Sequence, residues 1–167
     1  MNTCVVMTVL APDRTGIVQT LSQTVADHSG NWLESRMARM AGHFAGILRV
    51  ECPEANAAAL IAALEALEGM SIQTRQEDSD PDETRHLLKL DVVGNDRPGI
   101  VRALSGAIAA TGANLEELQT TLESAPMAGH PIFHAKGIAS LPEGLAPGAL
   151  TEAIEDLGPD LAVTVEE

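Results

Sequence analysis

The chain is poor in the residues that mark nucleic-acid-binding and disulfide-stabilised proteins. It has no tyrosine, one tryptophan and two phenylalanines among 167 residues, so aromatic platforms for base stacking are nearly absent. Its 10 Lys and Arg residues form no basic cluster that would neutralise phosphates. Cys4 and Cys52 are too few for a disulfide framework. These absences argue against direct nucleic-acid binding and against a secreted disulfide scaffold.

Membrane and catalytic signatures are also missing. No apolar run approaches the roughly 20 residues that span a membrane, and the first residues have no basic segment of a signal peptide. We therefore expect a cytoplasmic protein without a membrane partner. The sequence has no Gly-rich phosphate loop, nucleophile elbow or paired-cysteine motif. His130 and His134 would lie about 13 Å apart on a strand, too far to share one ion. We expect no catalytic residue, no metal and no cofactor.

The most prominent feature present is an internal repeat. The segment D-R-T-G-I-V at 13–18 returns as D-R-P-G-I-V at 96–101, an offset of 83 that also carries Asn31 onto Asn114 and Glu34 onto Glu117. The net charge of -14 is divided evenly, because residues 1–83 and 84–167 each contain 12 acidic and 5 basic side chains. The repeat predicts two copies of one domain, at 1–76 and 86–167, joined by an acidic linker at 77–85.

Each copy has the pattern of a small α+β domain. Apolar runs, helical spacing and turn residues alternate in the order βαββαβ, which is the ferredoxin-like arrangement of an antiparallel sheet with both helices on one face. Domains of about 80 residues bury only some 60% of their unfolded surface, so we expect the two to pack together pseudo-symmetrically.

Two details of this fold are also predicted. Matching Ala41-Gly42-His43 to Ala128-Gly129-His130 predicts four extra residues in the second hairpin, near 124–126. Strands one and three are expected to lie side by side and parallel, which would separate Cys4 from Cys52 by roughly 20 Å.

The D-R-x-G turn is the one segment with binding chemistry. It lies where a strand passes into a helix, so Gly16 and Gly99 would present free backbone N–H groups and the positive end of the helix dipole to a carboxylate. Arg14 and Arg97 would add a charge-assisted clamp. Pro98 replaces Thr15 and removes one donor, so the two sites need not be equivalent.

A purely structural interpretation of these residues is equally open. In that interpretation Asp13 and Asp96 cap the helices, the glycines form the turn, and each arginine pairs with a nearby carboxylate. Asn31 and Asn114 begin the second strand of each copy, where a turn role competes with ligand contact. For Trp32, a packing role is a better interpretation than a role as a platform for a ligand.

With this repeated turn in βαββαβ order, the sequence resembles tandem ACT domains, the amino-acid-sensing modules of metabolic regulation. The segment N-W-L-E-S-R-M-A-R-M at 31–40, with Gly42 and Phe44 beyond it, is similar to the glycine cleavage system transcriptional repressor family, whose members are little more than two ACT domains. The resemblance covers essentially the whole chain. Similar turns occur in formyltetrahydrofolate deformylases and phosphoserine phosphatases, which carry a further catalytic domain. With 167 residues in the two repeats, we expect no such domain here.

The resemblance implies a regulator that is not an enzyme. Its small amino-acid ligand, glycine or a serine-like molecule, would lie where the first turn of one domain meets strand two of its neighbour. Its partner would be a DNA-binding transcriptional activator, and pairing within one chain or across a homodimer stays open. The alternative is an ACT adaptor or dimerisation module without a ligand. Carried over by position, the ligand-binding candidates are Asp13, Arg14, Thr15, Gly16, Ile17 and Asn31, with Asp96, Arg97, Pro98, Gly99, Ile100 and Asn114.

Overall fold

The computed structural model describes residues 1–77, 85–124, 127 and 129–167. The chain divides into two compact units, Met1–Asp82 and Glu83–Glu167. Both units have the element order βαββαβ, and each contains one four-stranded antiparallel sheet. The α+β, ferredoxin-like fold predicted from the repeat is confirmed. Most of the proposed linker, residues 78–84, lies outside the described residues.

The first unit builds its core between one sheet face and two helices. Its strand order is β2-β3-β1-β4. Alternate residues of β1 are buried, and they pack with the buried stripe of α1 and with Leu60 and Leu64 of α2. Trp32 is half-buried against this core, in agreement with a packing role. The elements are β1 (Asn2–Pro12), α1 (Ile17–Asp27), β2 (Asn31–Met40), β3 (His43–Pro53), α2 (Glu54–Glu65) and β4 (Ser71–Glu77).

The second unit repeats this architecture with its own core. Its strand order is β6-β7-β5-β8, and buried residues of β5 and β7 pack against Leu104, Leu150 and Ile154 of its helices. The elements are β5 (His86–Asn95), α3 (Ile100–Ala110), β6 (Asn114–Glu123), β7 (Ile132–Leu141), α4 (Pro147–Glu155) and β8 (Ala162–Glu166). Even a backbone irregularity is repeated, because the register shifts between Trp32 and Glu34 in β2 and between Leu115 and Glu117 in β6.

The hairpins are where the two copies differ in length. Ala41 and Gly42 join β2 to β3 with φ of 50° and 78°, as a tight two-residue hairpin turn requires. Pro12 pairs with His43 in the first sheet, and its counterpart Asn95 pairs with Ile132 in the second. The offset between matching residues of the two copies is therefore 83 before the hairpin and 89 after it. The match of Ala41-Gly42-His43 to Ala128-Gly129-His130 is therefore wrong, and the insertion has six residues instead of four. Ala125 and Pro126, within the predicted region of divergence, lie outside the described residues.

The expected direction of strand three is also wrong. β1 and β3 are neighbours but antiparallel, and Thr3 pairs with Cys52 while Cys4 pairs with Glu51. The two cysteines are therefore close to each other and not 20 Å apart. Adjacent register positions point to opposite sheet faces, which leaves Cys52 buried, Cys4 half-buried and both thiols free. Burial, and next the neighbouring Cys4, raise the pKa of the Cys52 thiol.

Two glycines of the second unit have opposite backbone requirements. Gly99, just before α3, has φ of 81°, in the left-handed region, whereas Gly106 lies inside α3 with helical geometry. A Cβ atom added at either position would meet no other atom within 4 Å. Substitution by alanine at these sites therefore tests the backbone alone.

We predict that Gly99→Ala destabilises the second unit by about 1–2 kcal/mol, because an L-residue is strained in the left-handed region. Gly106→Ala is the matched control, and it should stabilise the unit by roughly 1 kcal/mol because alanine is the better helix former. Urea unfolding of the two variants measures both changes. A stabilising Gly99→Ala would contradict the backbone assignment.

Candidate functional site

The D-R-x-G turns join β1 to α1 and β5 to α3 in the same conformation. Gly16 has φ 90° and ψ 9°, and Gly99 has φ 81° and ψ 9°, so both adopt the left-handed region that favours glycine. Their carbonyl oxygens accept the amides of Thr20 and Ala103, each at 2.9 Å. Neither helix has a side-chain hydrogen bond at its N-cap. Both helix N-termini therefore keep the anion-binding potential of uncapped amides.

The aspartates of the motif do not cap the helices. The carboxylate of Asp13 accepts a hydrogen bond from Nε of Arg39 at 2.7 Å, and its backbone N–H donates to Gly42 at 2.9 Å. The backbone N–H of Asp96 donates likewise to Pro131 at 3.1 Å. These contacts fix each turn to its hairpin. The capping role considered for both aspartates is wrong.

The arginines of the motif reach the loop that follows the second helix of their own unit. Nη2 of Arg14 donates to the carbonyl oxygen of Glu68 at 3.2 Å, and Nη2 of Arg97 donates to that of Leu157 at 3.4 Å. Each arginine thus stabilises a loop of the fold. This contact was missed in the sequence because nothing near the motif indicates a partner some 54 or 60 residues away.

Asp160 is a site residue of the second unit that the sequence analysis missed. Its Oδ2 accepts the backbone N–H of Asn95 at 2.9 Å, and its Oδ1 lies 3.6 Å from Nη1 of Arg97. The hydrogen bond from Asn95 lowers the pKa of Asp160, and Arg97 and His130 add smaller effects in the same direction. Arg97 thus has the nearby carboxylate that the structural interpretation expects.

The remaining residues of the two turns divide into exposed and buried positions. Thr15 and Pro98 are exposed, whereas Ile17 and Ile100 are buried in their cores, 3% and 6% exposed. The isoleucine side chains therefore anchor the helices, and only their backbone amides face the turn. The amide of Ile100 donates to Arg97 at 3.2 Å, a bond that Ile17 does not form with any described residue.

Asn31 and Asn114 are not brought to the turn of their own unit. Asn31 pairs with Glu51, which pairs with Cys4, eight residues along β1 from Pro12. At about 3.3 Å per residue this is roughly 26 Å from the turn. Asn114 is equally distant, because it pairs with Ser140 opposite Leu87. Within one unit the turn and the strand-two asparagine are separate surfaces.

The described residues contain neither a metal-binding cluster nor a helix that could span a membrane. No group of three or more His, Cys, Asp or Glu side chains there has the arrangement of a metal site. His134 instead contacts Asp91 at 2.8 Å and Glu123 at 3.5 Å across the sheet. Among those residues, no helix combines the length and apolar character that crossing a bilayer requires.

Comparison with known proteins agrees with this geometry. Residues 3–76 match the family model of the ACT domain. A crystal structure of an unknown protein from Galdieria sulphuraria shares 32% sequence identity with this chain. The match covers 100% of this chain and 99% of the other, with a TM-score of 0.85. A crystal structure of a candidate glycine cleavage system transcriptional repressor superposes over 99% of this chain and 97% of its own, with 17% identity and a TM-score of 0.69. The search of curated proteins found no match.

The first unit therefore matches the ACT domain and the second repeats its order of elements, so the chain has the tandem ACT fold that its repeated turn indicated. ACT domains are regulatory modules. The protein belongs to one family with the Galdieria sulphuraria protein, and its fold is that of the candidate repressor.

We predict that Asp160→Asn lowers the stability of the second unit at neutral pH and that the difference vanishes in acid. The pKa of Asp160 is below its ordinary 3.8 in the folded protein, so its stabilisation is present above that value and is lost as the pH falls through the lowered pKa. Urea midpoints between about pH 7 and pH 2 give the measurement. Asp156→Asn, at an exposed aspartate ending α4, is the control, and an identical pH dependence in both variants would refute the assignment.

Proposed function

We propose that this protein is a non-enzymatic regulator that binds a small amino acid, glycine in the first place, at its D-R-x-G turns. The observation that carries the proposal is the uncapped helix N-terminus behind a left-handed glycine, present at Gly16 and again at Gly99. Such a terminus offers backbone donors and a positive dipole to a carboxylate. No catalytic residue or cofactor is part of this proposal.

The two charged groups of an amino acid set the roles of the turn residues. The carboxylate would accept the first-turn amides and the guanidinium of Arg14 or Arg97, and the ammonium would lie towards Asp13 or Asp96. Thr15 and Pro98 flank the ligand. The amide of Ile17 would contribute from the first helix, whereas that of Ile100 already donates to the carbonyl oxygen of Arg97. Asn31 and Asn114 would take part only where another ACT unit, of this chain or of a homodimer, presents them to the turn.

Ligand size limits the affinity. Glycine has five non-hydrogen atoms, and at a ceiling of about -1.5 kcal/mol each it gains no more than roughly -7.5 kcal/mol on binding. The dissociation constant is therefore micromolar or weaker, a range suited to a metabolite present at high concentration. A response to such a ligand requires two conformations that bind it unequally.

The output of this regulator would be a protein contact. With a net charge of -14 and no basic cluster in its sequence, the protein is unsuited to holding DNA directly. We propose a DNA-binding transcriptional activator as its partner in the cytoplasm, with control of glycine cleavage genes in the manner of the repressor family that the sequence resembles. The fold that this chain shares with a candidate glycine cleavage system repressor supports this proposed role.

A specific observation favours the alternative, an ACT adaptor without a ligand. Arg14, Arg97 and Asp13 all have partners within their own unit, so the turn is complete as a structural element. An adaptor would use the fold as a constant docking surface and would not respond to amino acids.

We predict that glycine, or one closely related small amino acid, selectively raises the midpoint of thermal unfolding. Binding to the native state alone stabilises it by about 2.7 kcal/mol when the ligand is at 100 times its dissociation constant. The measurement compares the twenty amino acids, each at about 10 mM, with sodium acetate and methylamine as half-ligand controls. A protein that none of the twenty stabilises would be the adaptor.

We predict that Arg14→Ala or Arg97→Ala abolishes this stabilisation in at least one unit, because each removes the guanidinium offered to the ligand carboxylate. Arg75→Ala, on exposed β4, removes the same charge from a residue outside the turns and should keep the full response. Calorimetric titration of the three variants distinguishes these results. Equal glycine binding by Arg14→Ala, Arg97→Ala and the wild-type protein would exclude the arginine clamp.

A further inference from the structure

The two units differ at one position beside the motif arginine. Asp160 immediately precedes Leu161, and Gly69 immediately precedes Met70; Met70 and Leu161 are matched core residues ahead of the last strand. Gly69 already faces the guanidinium, since a Cβ atom there would lie 3.8 Å from Cζ of Arg14. The second unit therefore carries a carboxylate where the first carries none.

The charge environments of the two arginines differ accordingly. Arg97 has the carboxylate of Asp160 at 3.6 Å in addition to its bond to Leu157. Arg14 donates to a neutral carbonyl oxygen, and no carboxylate among the described residues lies within ion-pair distance of it. Its guanidinium keeps an unbalanced positive charge that Arg97 does not.

The backbone next to each turn follows the same division. Asn95, at the end of β5, has an N–H that Asp160 accepts, whereas the matching residue of β1 is Pro12, which has no N–H to be satisfied. The second unit has both the carboxylate of Asp160 and the Asn95 amide that donates to it. The first unit has neither, because Gly69 and Pro12 occupy the matching positions. Asp160 is thus built into its site through two contacts.

We propose that Asp160 is an internal carboxylate that occupies the second turn in place of a ligand, so that the chain binds one amino acid, at the turn of the first unit. The proposal rests on the function proposed above and makes its two sites unequal. Pro98 acts in the same direction, because it removes a backbone donor that Thr15 supplies in the first turn.

Competition between the two carboxylates supports this division. The carboxylate of Asp160 is tethered in the same fold, so it competes at a constant effective concentration of about a millimolar or more. Free glycine, which binds with micromolar or weaker affinity, would have to displace it. A ligand carboxylate would have to replace both contacts of Asp160, its hydrogen bond from the amide of Asn95 and its ion pair with Arg97. At Arg14 no carboxylate of the described residues competes with a ligand in this way.

The test follows the backbone amides of Gly16 and Gly99 by ¹⁵N NMR in the full chain during titration with glycine and, separately, with sodium acetate. We expect saturable shifts at Gly16 only. In Asp160→Asn, which keeps an acceptor for Asn95 but removes the charge, Gly99 should respond as well and the stoichiometry should rise from one to two per chain. Asp156→Asn removes an equal charge from the end of α4 and should remain at one.

The reciprocal variant is Gly69→Asp, which installs the carboxylate beside Arg14; aspartate tolerates the φ of 75° better than most residues do. It should abolish the response of Gly16, and if it fails to fold, Asp160→Asn alone decides. Shifts of both glycines in the wild-type protein would overturn the inference and leave the proposed function intact. Silence of both glycines towards both probes in the wild type and in Asp160→Asn would overturn the proposed function together with the inference.

Discussion

The left-handed turn between the first strand and the first helix is the constraint on which each unit depends. At φ near 85° an L-residue costs about 1–2 kcal/mol, so glycine is needed at 16 and 99 whether or not a ligand binds there. The turn directs Ile17 and Ile100 into the cores, and the motif arginines reach the loop after the second helix. The same geometry leaves the helix amides without a side-chain cap. Structural need and binding capacity therefore come from one backbone conformation, and the motif alone does not separate them.

The two copies provide an internal comparison that separates these roles. Features required by the fold recur in both: the left-handed glycine, the strand-two irregularity and the arginine bond to a loop carbonyl oxygen. Features free to diverge do not recur, and these are the hairpin, the residue after the motif arginine and the position of Asp160. Both units fold with complete cores, and the contacts of Asp160 with Asn95 and Arg97 have no counterpart at Gly69, so the fold itself does not require them.

Sequence patterns predicted the elements because each depends on local chemistry, such as the alternation along β1 or the helical spacing of Ile17, Leu21 and Val25. The errors arose where a tertiary relation decides. The Ala-Gly-His match was a chance tripeptide, and strand pairing aligns His43 with Ile132 instead. The direction of β3 follows from the hairpin, not from its own residues. The partners of Arg14 and Arg97 lie in distant loops, and Asp160 had no counterpart in the first copy to draw attention to it.

A weak ligand makes the inequality of the turns consequential. A ligand shifts a conformational equilibrium only by the difference in its binding free energy between two states, and a molecule the size of glycine has about 7.5 kcal/mol in total to divide. Inverting a 1:99 equilibrium already takes about 5.5 kcal/mol, so one glycine site must use most of its binding energy in one conformation. A turn that holds its own carboxylate, as proposed for Asp160, would contribute no such difference. In the regulator proposed here, the second unit would be the half that does not respond to an amino acid, and the first unit, with Arg14, would be the half that does.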